Sequence, residues 1–145
     1  MKKDALFCVG QKAFINKDGK VLVLNDHKWG IDFPGGKIQE GEAKDDDLSS
    51  LISALKREVL EETGLEIEVR DPFAVWYHEF PEDHRNHDKV VYLVGFKCKY
   101  VSGELKLSDE HDNFMWVDAD TYKELEGDND RFRSLKKYFE ALDKS

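Results

Sequence analysis

The alternation of apolar and polar residues predicts two paired strands in the first part of the chain. Residues 5–16 place apolar side chains at Phe7 and Val9 and then continuously from residue 13 to residue 15, which is typical of a strand. Residues 16–20 contain an Asp-Gly turn, and residues 21–24 begin the returning strand. Residues 25–34 are predicted to form an irregular loop.

Two segments have the helical period. Residues 45–49 supply helix-start side chains, and the helix is predicted to continue to about Thr63, where Gly64 stops it. Its apolar stripe consists of Leu48, Leu51, Ile52, Leu55 and Val59. Residues 130–142 form a second amphipathic pattern, with Phe132, Leu135, Tyr138, Phe139 and Leu142 predicted to face inward.

The rest of the chain reads mainly as strands. They are predicted over residues 66–69, 73–80, 90–100 and 114–117. Pro72 separates the first two, residues 81–88 form a polar loop, and residues 118–125 a short helix. Helices and strands in this order predict an α/β fold with a mixed sheet covered on both faces. The length of 145 residues favours one domain over residues 1–145.

Three carboxylates of the first helix are the main chemical feature. Glu61 and Glu62 follow Glu58 by three and four residues, so the three side chains share one helical face. Like charges side by side repel, and carboxylate oxygens suit Mg²⁺ or Mn²⁺, which commonly act on phosphates. Without other signals, this would be read as a solvated acidic face.

The segment around these glutamates resembles the motif of the Nudix hydrolases (MutT-like enzymes), G-x5-E-x7-R-E-U-x-E-E-x-G-U, where U is bulky and apolar. Gly36 and Glu42 match the first half. The second half of the motif has nine positions, of which seven are defined, and residues 57–65 match all seven. One departure is the spacing, because fourteen residues separate Glu42 from Arg57 where the family has seven. Seven extra residues equal about two helical turns. We expect them to lengthen the helix, which leaves the position of Glu42 open.

The resemblance implies a Nudix-type α/β/α sandwich and a metal-dependent pyrophosphohydrolase in which water attacks phosphorus. It implies that Glu58, Glu61 and Glu62 bind divalent ions. It also implies that Arg57 holds a glutamate through a forked pair, and the alternative for Arg57 is a surface i,i+4 ion pair. The backbone carbonyl of Gly35 could add a metal ligand, although a hairpin turn would also explain the Gly35-Gly36 pair. Many family members carry a glutamate before a W-V strand, and Glu110 matches it as catalytic base or metal ligand. Asp109 and Asp112 are alternatives.

The family cleaves nucleoside diphosphates linked to another moiety, so a small nucleotide is the expected substrate. Lys37 could meet a phosphate, and Trp29 and Phe80, with Trp76 and Tyr77, could stack on a base or sugar. Pro81 lies sixteen residues after Leu65, as in many ADP-ribose hydrolases of the family, although a loop proline needs no functional reason. ADP-ribose-like compounds and nucleoside triphosphates both stay open.

Composition narrows the class of protein further. There are 22 basic and 31 acidic residues, a net charge of −9, so a nucleic-acid partner is not expected. No apolar run reaches the ~20 residues that span a bilayer, so we expect no membrane partner. The N-terminal apolar stretch is too short for a signal peptide, and we expect a cytoplasmic protein with Cys8 and Cys98 reduced.

Other interpretations stay open at this point. His84 and His87 could belong to a zinc site, although no cysteine lies near them in the sequence. The oligomeric state is not fixed by the sequence, and a homodimer is left open. The protein could also be a Nudix-fold module that binds or regulates without catalysis.

Overall fold

The computed structural model describes residues 2–26, 28–109, 111–125 and 129–142. The strands are β1 (Cys8–Lys17), β2 (Lys20–Asp26), β3 (Gly30–Asp32), β4 (Gly35–Lys37), β5 (Glu66–Glu79), β6 (Val90–Ser102) and β7 (Asn113–Val117). The helices are α1 (Leu48–Thr63) and α2 (Asp130–Leu142), with a 3₁₀ turn at Thr121–Glu124.

The seven strands belong to one mixed sheet. Its main order is β3-β2-β1-β6-β5, while β4 pairs with β1 and β7 pairs with β2. Strands β1 and β6 are parallel, and the other pairs are antiparallel. Because β2 and β4 share one edge of β1, the Gly35–Lys37 strand lies beside the middle of the sheet.

Each face of the sheet is covered by one helix. Alternate residues of β1 point to opposite faces, so Ala13 and Ile15 pack with Leu55 of α1, whereas Phe14 packs with Leu135 of α2. All five side chains are at most 1% exposed. A fully buried side chain of this kind contributes about 1.5–3 kcal/mol. The predicted α/β fold with a mixed sheet between helices is confirmed.

Both predicted ends of α1 are confirmed by their caps. Asp47 accepts a hydrogen bond from the Ser49 amide at 2.9 Å, as an N-cap residue does. Gly64 has φ 76°, and its amide donates to the Leu60 carbonyl at 2.8 Å. These caps define where the helix begins and ends, and the packing of Leu55 and Val59 places their side of the helix against the sheet.

Several predicted positions differ from the structure. Strand β1 begins at Cys8, where its pairing with Val91 starts, and residues 5–7 lie outside the sheet. Leu48 is 61% exposed and Leu142 is 40% exposed, because both lie at helix ends beyond the buried stripe. The predicted helix at residues 118–125 is only the 3₁₀ turn.

Two strand predictions were also wrong. Pro72 does not end a strand, since β5 runs through it with register shifts on either side. Proline is tolerated there because β5 is an edge strand and the shifts are bulges. The predicted loop at residues 25–34 contains β3, whose short pairing with β2 brings Asp32 towards the centre of the sheet. No helix in the described ranges is long and apolar enough to cross a membrane.

Candidate active site

A cleft of about 720 Å³ lies at the carboxylate-bearing face of α1. Its lining includes Glu58, Glu61 and Glu62, which the helical period brings to one wall, together with Gly35 and Gly36 of β4. The structure therefore assembles the two halves of the sequence motif around one concave space. Such a cleft is where a small ligand would be expected.

The two glycines contact the helix carboxylates directly. The Gly35 amide donates a hydrogen bond to Glu62 Oε2 at 3.1 Å. Gly36 lies so close to Glu58 that a Cβ at this position would overlap Glu58 Oε2. The absence of side chains at the glycines thus lets β4 and the carboxylates approach closely.

Arg57 connects two acidic side chains. One guanidinium nitrogen contacts Glu42 Oε2 at 2.6 Å, and the other contacts Glu61 Oε1 at 3.0 Å. Glu42 is therefore beside α1 despite the longer spacing, and its side chain is only 14% exposed. The expected lengthening of the helix accounts for only part of that spacing, because residues 43–47 form a loop before α1 begins.

Glu58 is half-buried in an acidic environment. Burial, and then the nearby charge of Glu42, raise the pKa of its carboxyl, whereas Arg57 and Lys12 act in the opposite direction. The folded protein thus holds a carboxylate that a bound cation would stabilise.

A second cluster of charged side chains lines the cleft, and its members come from β1, β3 and the loop before β7. Lys12 Nζ lies 3.2 Å from Asp32 Oδ1, and His111 Nε2 lies 3.7 Å from Asp32 Oδ2. Burial opposes ionisation of Asp32, but the charge of Lys12 and the polar contact with His111 outweigh it, so the Asp32 pKa lies well below its usual range. The same contact with Asp32 raises the pKa of His111 against the effect of burial.

Lys12 and Asp32 were not predicted from the sequence as site residues. A lysine between Gln11 and the apolar run from Ala13 was the available signal, because a charged residue in a buried strand needs a partner. The identity of the partner could not be read from the sequence.

The loop before β7 is held against the end of α1. The Lys106 amide donates to the Thr63 carbonyl at 2.8 Å, and the Ser108 amide donates to the Glu62 carbonyl at 3.0 Å. Asp109 and His111 line the cleft, whereas Glu110, the predicted base, lies outside the described residues. The loop predicted to supply the base is therefore adjacent to the carboxylate wall.

Aromatic rings form another wall of the cleft. The His84 ring stacks on Phe80 at 4.4 Å between centroids and meets Trp29 edge-on at 4.7 Å. Trp76 also lines the cleft, but Tyr77 does not and is 60% exposed. Of the four aromatic residues predicted for stacking, three are thus brought to the site.

Polar side chains at the start of α2 complete the cleft. Asp130 Oδ1 lies 3.0 Å from His78 Nδ1, and Arg131 donates to the Trp29 carbonyl at 3.1 Å. Within the described residues, Asp130 Oδ2, Arg131 Nε and Trp76 Nε1 are buried without a hydrogen-bond partner. Burial raises the pKa of Asp130, but the hydrogen bond and charge of His78 outweigh it and lower it overall.

No group of three or more His, Cys, Asp or Glu side chains in the described ranges is arranged so that it could hold a metal ion. His84 instead accepts the Asn86 amide at 3.0 Å and stacks on Phe80, so the zinc interpretation has no support there. Glu61 accepts a hydrogen bond from Arg57, and Glu62 accepts one from the Gly35 amide. The donor chemistry nevertheless fits a hard divalent cation, since three carboxylates line one wall and Glu58 is held there against burial and like charge.

The profile of the NUDIX domain matches residues 12–138. The chain belongs to the Nudix family of hydrolases. No curated protein gives a significant match to this chain.

Solved structures share the Nudix fold. The MutT protein from Methanosarcina mazei Go1 is 27% identical with a TM-score of 0.75, covering 99% of this chain and 100% of that chain. An ADP-ribose pyrophosphatase from Streptococcus suis 89-1591 is 20% identical with a TM-score of 0.62, covering 93% of this chain and 91% of that chain. A Nudix hydrolase from Nitrosomonas europaea is 20% identical with a TM-score of 0.69, covering 94% of this chain and 90% of that chain. The resemblance drawn from the motif is confirmed at the level of family and fold.

Proposed function

We propose that this Nudix hydrolase cleaves the diphosphate link of a nucleoside diphosphate derivative with the help of Mg²⁺ or Mn²⁺. The observation that carries the proposal is the convergence of Glu58, Glu61 and Glu62 with Gly35 and Gly36 on one wall of the cleft. A solvated acidic helix face would not require glycines packed against its carboxylates.

The residues that would hold the cation are those on this wall. Glu58, Glu61 and Glu62 would supply carboxylate oxygens, with the Gly35 carbonyl and Glu110 as further ligands. When bound, the cation would neutralise the diphosphate and activate water for attack on phosphorus. Glu110 is our candidate for accepting the proton of that water, since its neighbours Asp109 and His111 line the cleft.

Arg57 acts in this proposal through the glutamates that it holds. Its contacts of 2.6 Å to Glu42 and 3.0 Å to Glu61 restrict both carboxylates. One hydrogen bond to each of the two carboxylates positions these acidic side chains before a cation binds. Helix α1 and Glu42, the glutamate of the first half of the motif, are thus positioned before a cation binds.

The opposite part of the cleft suits a nucleoside. Trp29 and Phe80, joined through the His84 ring, offer aromatic surface for a base. Asp130 Oδ2, buried and without a partner among the described residues, could accept a hydrogen bond from a base N–H. Lys37 lines the cleft next to the glycines and would meet the phosphates.

The test is phosphate release, coupled to a phosphatase, with nucleoside triphosphates and nucleoside diphosphate derivatives in Mg²⁺ or Mn²⁺. We expect one substrate to be preferred and a chelator to abolish its turnover. Glu61→Gln and Glu62→Gln should each lower kcat by about 10²–10³-fold with the fold retained. Glu68→Gln is the matched control, because Glu68 pairs with Arg70 on β5 outside the cleft.

Two outcomes would contradict the proposal. Near-normal turnover in both glutamine variants would remove the assigned metal site. Folded wild-type protein that binds Mn²⁺ and nucleotide in calorimetric titration, but turns over none of the compounds, would instead favour the non-catalytic module.

A further inference from the structure

A cationic surface lines part of the same cleft. Lys37 extends from β4, and Arg85 and Asn86 come from the loop between β5 and β6; all three line the cleft. Lys37 Nζ donates to Asn86 Oδ1 at 3.0 Å, which ties the loop to β4. The position of this loop over the cleft could not be read from its polar sequence.

Contacts on its other side hold the same loop in place. Asp83 Oδ2 lies 3.5 Å from Lys28 Nζ, and the His84 ring contacts both Phe80 and Trp29. The loop is thus anchored at residues that flank Arg85. Its arginine is presented to the cleft from a fixed segment of chain rather than from a loop tip without contacts.

The positive charges in this surface are not balanced by the protein. Within the described residues, neither Lys37 nor Arg85 forms an ion pair with an acidic side chain. This is notable in a chain with 31 acidic and 22 basic residues, where carboxylates are plentiful. An anion is the partner that such a surface lacks.

We propose that Lys37, Arg85 and Asn86 form a phosphate subsite for a phosphate group of the substrate that lies beyond the diphosphate at the carboxylate wall. The two cations and the side-chain amide of Asn86 can supply the hydrogen-bond donors that phosphate oxygens accept. The inference rests on the proposed function and narrows it. Substrates whose second moiety carries or is a phosphate should be preferred over those whose second moiety is a neutral sugar.

The test compares substrates that differ in this moiety. ATP and dGTP carry a third phosphate, diadenosine tetraphosphate carries a further phosphate chain on a second nucleoside, and ADP-ribose carries a neutral sugar. Arg85→Ala should reduce kcat/KM for the phosphate-bearing compounds by about tenfold or more and leave ADP-ribose unchanged. Comparison of triphosphates with the tetraphosphate shows which source of phosphate the subsite accepts. Arg85→Lys should retain part of the preference.

The control is Arg70→Ala, because Arg70 is an exposed arginine of β5 that pairs with Glu68 outside the cleft. It should leave all substrates unaffected. An equal loss on ADP-ribose and triphosphates in Arg85→Ala, or a wild-type preference for ADP-ribose, would overturn the subsite while leaving the hydrolase proposal intact.

A binding measurement separates the two proposals. Inorganic tripolyphosphate, titrated calorimetrically without divalent cations, should bind wild type at least about tenfold more tightly than Arg85→Ala. That result in a protein without turnover would support the subsite and refute the hydrolase proposal. Equal binding to wild type and variant would refute the subsite.

Discussion

Replacement of Gly36 by alanine should lower the catalytic rate and leave the free energy of unfolding nearly unchanged. The added Cβ would overlap Glu58 Oε2 and lie 3.3 Å from Glu58 Cδ, and its three nearest neighbours all belong to this side chain. Glu58 can retreat because its carboxylate is the far end of a flexible side chain. Restoring ordinary contact requires a shift of roughly 1 Å, and a misplacement of that size can cost about 10²-fold in rate.

The stability of the same variant should change little. Gly36 does not have a positive φ, so alanine is compatible with its backbone. Loss of glycine flexibility in the unfolded chain contributes about 0.4–1 kcal/mol in favour of folding, which offsets part of the crowding at Glu58. We expect the free energy of unfolding to stay within about 1 kcal/mol of wild type.

Gly35→Ala is the matched comparison. Gly35 has φ 129°, and its Cβ would overlap the main-chain oxygen of Gln11 and lie 3.1 Å from Lys12 Cα. These atoms belong to β1, which cannot retreat without breaking its pairing with β4. Backbone strain and overpacking cost about 1–3 kcal/mol each, so this variant should be destabilised by several kcal/mol.

Urea unfolding followed by circular dichroism gives the free energies, and the coupled phosphate assay gives kcat and KM. The reasoning would be refuted if folded Gly36→Ala kept kcat within about threefold of wild type. It would also fail if the two alanine variants lost stability equally, because the structure places different atoms in their way.

Three other predictions follow from the described contacts. Arg57→Ala should lower kcat by about 10–100-fold. Arg57→Lys should recover little of this loss, because a lysine ammonium cannot hold two carboxylates as the two guanidinium nitrogens do. Circular dichroism checks that both variants are folded. The contribution of the Asp32–His111 pair to stability in urea should be greatest between about pH 4 and pH 6.5. Below that range the contribution of Asp32, whose pKa is lowered, is lost as pH falls; above it the contribution of His111, whose pKa is raised, is lost as pH rises. His111→Asn should flatten the alkaline decline, and an unchanged profile would contradict the Asp32–His111 contact. Burial raises the pKa of Cys98 to about 12, so mass spectrometry after iodoacetamide treatment of native protein should find Cys8 modified before Cys98.

Local features of the fold could be predicted because their causes lie within a few residues. The spacing of Glu58, Glu61 and Glu62 determines that they share a helical face wherever the helix lies. Gly64 ends α1 because only a residue at ease with positive φ continues the chain there. The family motif could be identified for the same reason, since its second half is contiguous.

Boundaries that depend on strand partners could not be predicted. Whether residues 5–7 extend β1 depends on whether β6 reaches them, and it does not. Pro72 looks like a strand break in the sequence, yet on an edge strand with bulges its missing amide removes no necessary hydrogen bond.

The sequence by itself determined the family, the layered α/β arrangement and the acidic face of α1, because periodicity and a contiguous motif express them locally. Only the tertiary structure decided that Glu42 stays beside Arg57 across a longer connection, and that Lys12 and His111 meet at Asp32. It also decided that Arg85 faces the cleft. These contacts join segments distant in sequence, and their geometry follows from how β1, β3 and the β5–β6 loop pack around one sheet.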